Sequence, residues 1–173
     1  MNNEHLKTAS HDVLAQGLTL VTGLSPDLYG RRLPQAFDAS IGGHYRHCLD
    51  HFECLLARVD GTVDYDARAR DPRVETDPVF AAERTQALMM RIGSLSASEL
   101  AAGIHVRCKV SYEGEASPLV ASTFARELMY AIVHAVHHYA LIRVMGEMIG
   151  HPAPADFGLA PSTARHRLAA VAG

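Results

Sequence analysis

The sequence predicts a mainly α-helical fold: a four-helix bundle in up-down-down-up order, with a small β-hairpin inserted. Three observations point there. Four segments carry apolar residues at helical spacing between recognisable start and stop residues. A long polar stretch, Thr62 to Asp77, separates the second and third helices, which suits a crossover connection. One short stretch alternates apolar and polar residues strictly. The chain has 173 residues and is 48% apolar, which fits a single domain over residues 1–173 and argues against disorder.

The first helix is expected from about His11 to Leu24, with Ser10 as its cap and Ser25-Pro26-Asp27 as its stop. Val13, Leu14, Leu18, Leu20, Val21 and Leu24 form its apolar face. A connection with Gly30 and Pro34 follows. The second helix is expected over about Ser40 to Val59, closed by Gly61. The segment Thr62 to Asp77 reads as a long ordered loop, and such loops often carry function. Its YDARARD run, Tyr65 to Asp71, reads as salt-bridged, with lid duty over a site as the lesser alternative.

Asp77-Pro78 is a strong helix start, so the third helix should run to about Ile92. Ser98 to Leu100 adds a short turn. Ile104, Val106, Cys108 and Val110 alternate with polar residues, a strand pattern. Glu113-Gly114-Glu115 would turn it back into Leu119-Val120. The fourth long helix begins after Ser122 or Thr123 and ends near Ile149, before Gly150 and Pro152. The tail is extended, then forms a short helix capped by Ser162.

Charge and composition narrow the function classes. The net charge is −3 and the 16 basic residues are scattered, which argues against a nucleic-acid surface. The polar N-terminus shows no signal peptide. The longest apolar region, around Leu128 to Met148, is interrupted by three histidines, an arginine and a glutamate, so no membrane span is expected. The three cysteines, Cys48, Cys54 and Cys108, form no CxxC motif, which places the chain in a reducing cytoplasm.

The histidines are the main clue. Six of the 11 lie in two short segments: His44, His47 and His51, then His134, His137 and His138. His134 and His138 sit one turn apart on one helix face, a spacing from which two imidazoles converge on one metal ion. Ala135 replaces the glutamate of an H-E-x-x-H protease motif, so that mechanism is not supported. No Glu-x-x-His occurs in either segment, which argues against a di-iron site. His44, His47 and His51 form one stripe on the second helix. The spacing favours His47 as the third ligand, with His51 and His44 as alternatives. Asp50, beside the stripe, is a candidate to orient a ligand imidazole. His137 points about 100° away from His138 around the helix axis and reads as a residue that supports the ligands or as surface. Arg46 and Arg143 are anion-binding candidates, although surface arginine is the commoner fate.

The segments SIGGHYRHCLDHF (Ser40 to Phe52) and HAVHHYALI (His134 to Ile142) resemble the DinB and YfiT-like superfamily of metal-binding four-helix bundles. The likeness covers most of the chain in order and spacing. It implies a divalent metal held by His47, His134 and His138, and a homodimer. Some members of that superfamily are thiol S-transferases that use low-molecular-weight thiols.

The expectation is therefore a divalent-metal-dependent enzyme with Zn, Ni or Fe at three histidines. It would act as a thiol S-transferase or hydrolase on a small-molecule substrate, with Asp50 or His51 moving the proton. One alternative is a non-catalytic metal-binding or stress-response bundle protein. Another is a plain helical interaction module with solvent-facing histidines.

Overall fold

The computed structural model describes residues 4–113 and 117–171. The chain is mainly helical, with a small three-stranded sheet. Its helices are α1 (Glu4–Thr22), α2 (Pro26–Tyr29), α3 (Ile41–Leu56), α4 (Pro72–Thr76), α5 (Pro78–Gly93), α6 (Ala97–Ala101), α7 (Phe124–Met148) and α8 (Pro161–Val171). The strands are β1 (Thr62–Asp64), β2 (Gly103–Arg107) and β3 (Leu119–Thr123).

Capping fixes where the two histidine helices start. The Ser40 hydroxyl accepts from the Gly43 N–H at 2.9 Å and opens α3. The Thr123 hydroxyl accepts from the Arg126 N–H and opens α7. Asp77 caps α5 by accepting from Val79 and Phe80, with Pro78 at the first helical position. A full capping box between Ser96 and Glu99 opens α6.

The four long helices pack pairwise. α1 lies against α5 and α7, and α3 lies against α7 and α5. α3 buries Tyr45, Leu49, Phe52 and Leu55, and α7 buries Ala131, Ala135, Tyr139 and Ile142; the rings of Tyr45 and Tyr139 stack between the two helices, 6.2 Å apart. Gly42 admits α4 to the start of α3, because a Cβ there would collide with the Glu75 carbonyl. By length and composition alone α7 is apolar enough to cross a membrane, with 33% of its most apolar window buried. It packs against α1 and α3 and carries the second histidine segment.

Several sequence expectations change in detail. The first helix starts near the chain's beginning, and Ser10 lies within it, donating to the Leu6 carbonyl at 2.7 Å rather than capping. The inserted sheet is not a two-stranded hairpin. β2 pairs antiparallel with β3, matching Ile104 to Ser122, but it also pairs parallel with β1, matching Val63 to Val106. The expected loop 62–77 thus supplies a strand and the short helix α4. A turn with Asp60 and Gly61 in the left-handed conformation returns the chain to Thr62, and pairing with β2 leaves Val63 fully buried. β2 stops at Arg107, short of Val110, which is exposed. The turn expected at Glu113-Gly114-Glu115 falls partly outside the described residues. α8 starts at Pro161, one residue before the expected Ser162 cap, in keeping with proline's preference for a first helical position. The tail before it packs back: Phe157 stacks on Tyr139 with ring centres 4.7 Å apart.

Candidate metal centre

α3 and α7 bring the two histidine segments face to face. The Nε2 atoms of His47 and His134 are 2.9 Å apart, and the Nδ1 atoms of His44 and His138 are 2.8 Å apart. His51 enters from the same stripe, its ring 4.3 Å from that of His134 and 4.8 Å from that of His47. His47, His51 and His134 each present one nitrogen, and these three atoms lie within 4.8 Å of one another. His138 stands next to this group, 4.6 Å from His134 and 4.7 Å from His47 between ring centres. His137 is exposed, its ring 5.4 Å from that of His138.

Of the ligands expected from sequence, His47 and His134 therefore fall within the tight group, and His138 pairs with His44 at its edge. His51, expected as a proton carrier or as an alternative third ligand, is one of the three converging imidazoles. Asp50 points to a different partner: its carboxylate accepts from Arg46 at 2.9 Å, and Arg46 also reaches Glu75 at 3.2 Å. Asp50 is buried, and burial raises its carboxyl despite the Arg46 charge. Arg143 donates to the Ala155 carbonyl and serves the tail.

His51 is 4% exposed, and both of its ring nitrogens are buried with no hydrogen-bond partner. An unmade hydrogen bond on a buried polar group costs about 1–3 kcal/mol, so a side chain held this way points to a ligand. The site electrostatics agree. Burial, followed by the charges of neighbouring histidines and Arg68, lowers His51 to about 3 and His47 to about 4. Burial, then His47 and His134, lowers His138 to about 3. Burial likewise lowers His44 and His134. All five imidazoles are thus neutral at pH 7, the form that binds metal. Two nitrogens bound about 2 Å from a tetrahedral ion sit roughly 3.3 Å apart, close to the His47–His134 spacing. The donor set fits a divalent transition ion.

Around the imidazoles the walls differ. On one side a cleft of about 300 Å³ is lined by His44, His138, Arg46, Arg32, Glu75 and Asp38. On the other stand Tyr65 and Tyr130, whose rings lie 5.0 and 5.7 Å from that of His51. Tyr65 is held by β1 and β2: its N–H donates to the Arg107 carbonyl at 2.9 Å. Its hydroxyl donates to Glu127 at 3.2 Å, and Ser122 donates to the other Glu127 oxygen at 2.7 Å. Tyr65 belongs to the Tyr65–Asp71 run for which lid duty over a site was the lesser expectation; Tyr130, on α7, was not singled out from sequence.

One curated relative is the FK506-binding protein 5 of Rhizopus delemar, 34% identical over 104 residues. The match covers 60% of this chain, and the chain spans only 27% of the relative's length. No protein-family profile matches the chain, and no solved structure matches it. This corrects the functional expectation. The relative is named for binding FK506, not for thiol transfer, hydrolysis or stress response, so the metal-dependent S-transferase or hydrolase is not upheld. The DinB assignment and the metalloenzyme reading find no support in that relative either. Two histidine segments at ligand spacing specify where imidazoles meet, not what reaction follows.

Proposed function

We propose that this chain is a helical domain that binds one divalent transition-metal ion between α3 and α7. His47, His51 and His134 would hold the ion, with His138 and His44 beside them. The observation that carries this reading is His51, whose ring nitrogens are buried without a partner beside the converging nitrogens of His47 and His134. An all-imidazole set suits Zn, Ni, Fe or Cu rather than Mg or Ca. In this reading the four long helices form an up-down-down-up bundle that acts as a rigid frame for the ligands. Elemental analysis of the purified chain, followed by calorimetric titration of Zn and Ni into the chelator-treated protein, tests it. About one ion per chain, lost in His51→Ala, is the expected result. An absence of saturable binding for both metals would sink the reading.

The Rhizopus delemar relative favours a second reading, that this chain binds FK506. It makes no use of the histidines. Calorimetric titration of FK506 into the metal-free chain tests it: saturable heat supports it, and none at high micromolar ligand removes it.

A further inference from the structure

We infer that the outward face of α7 is a docking surface for a second copy of this chain, whose own α7 packs antiparallel across it. The inference is independent of the metal reading and stands or falls without it.

α7 is apolar on two faces. Its inner face buries Leu128, Ala131, Ala135, Tyr139 and Ile142. Its outer face leaves Met129, Tyr130, Val133, Leu141, Val144 and Met148 between 36% and 63% exposed. At about 100° of turn per residue, these six fall within an arc of about 120°. His137 and Ala140, both exposed, lie inside the same arc. A helix ordinarily turns an arc of that width towards a core. A contiguous apolar row of this length on a protein surface marks an interaction site.

The charges on that face identify the occupant. Arg126 lies in the first turn of α7 and Glu147 in the last, and the exposed residues between them carry no other Lys, Arg, Asp or Glu. Both are exposed, and among the described residues neither has an ion-pair partner. About a two-fold axis at His137, antiparallel packing sets Val133 against the partner's Leu141 and Tyr130 against the partner's Val144. Arg126 then falls beside the partner's Glu147, and the symmetry makes that pair twice. Parallel packing would set like charges together at both ends, which costs free energy. A helix that lies on a bilayer needs a basic polar face, whereas α7 turns its other side to the core. Tyr130 packs 5.7 Å from His51 and 5.4 Å from His134 between ring centres, so the second copy also covers that wall of the histidine cluster.

Sedimentation equilibrium of the full chain tests this, with EDTA present so that no metal bridges two copies. The wild type should sediment at twice the 18.8 kDa chain mass. Val133→Glu puts a charge against the partner's Leu141 and should raise the dimer Kd at least about tenfold. Arg126→Glu should raise it about tenfold, since both copies lose a pair and gain a repulsion. Combining Arg126→Glu with Glu147→Arg should restore most of the affinity. A wild type that stays monomeric at about 100 μM, or a dimer that Val133→Glu leaves intact, overturns the inference. Absence of rescue in the charge swap overturns the antiparallel arrangement. If circular dichroism shows that Val133→Glu does not fold, Val144→Glu decides by the same criterion. Failure of the chain to bind metal leaves every one of these outcomes unchanged.

Discussion

The Nε2 atoms of His47 and His134, on helices 87 residues apart in sequence, lie 2.9 Å from each other. Both atoms also face His51, whose own nitrogens have no partner. This convergence separates His47 and His51 from His44 on the same stripe. His44, by contrast, already meets His138.

The first prediction ranks the ligands. His51→Ala and His134→Ala should each weaken Zn binding by at least about tenfold, since each removes one of three inner ligands. His44→Ala should weaken it less. Competition with a chromophoric chelator measures the order. A larger loss in His44→Ala than in His51→Ala would relocate the ion to the cleft side.

The second concerns pH. In the metal-free chain His47 titrates at about 4, and His51 and His138 at about 3, because burial disfavours the imidazolium; the ordinary value is 6.5. Between 6.5 and these lowered values the unfolded chain binds protons that the folded chain does not. Stability should therefore hold above pH 6.5 and fall as pH drops towards 4 and 3. Urea midpoints from pH 8 to pH 4 in the presence of chelator measure this. Replacing His51 with Phe should flatten the slope. An unchanged midpoint across that range would refute it.

The third tests the buried acid beside the site. Arg46→Ala leaves Asp50, whose side chain is 6% exposed, without its 2.9 Å partner. Breaking such a pair on one side costs about 3–5 kcal/mol. The double variant Arg46→Ala with Asp50→Asn should recover part of that loss, read from thermal melts. No recovery would mean that Arg46 acts through packing alone.

The fourth tests helix approach. Gly42→Ala places a methyl against the Glu75 carbonyl, and overpacking of this kind costs about 1–3 kcal/mol. Gly43→Ala meets nothing closer than the Ser40 hydroxyl at 3.2 Å and should cost less, aided by alanine's helix preference. Equal melting temperatures for the two variants would show that α4 yields to the added methyl.

The sequence by itself determined the long helices and the two stripes that α3 and α7 carry. Ser40, Asp77-Pro78 and Thr123 mark helix starts by local chemistry, and apolar spacing marks the buried faces, so no distant contact is needed to read them. A spacing of three or four residues also announced that His44, His47 and His51, and again His134 and His138, share a face. Tertiary structure alone decided which imidazoles converge. That depends on how α3 packs against α7, and it put His51 in the inner group. It also drew β1 out of an expected loop and, through that strand, set Tyr65 beside His51. Strand pairing over about 40 residues leaves little trace in local pattern, because its hydrogen bonds and buried Val63 depend on β2 being in place. The reaction chemistry was the least legible part. Imidazole spacing reports an ion's geometry, whereas what the ion meets is fixed by side chains that only folding brings to it.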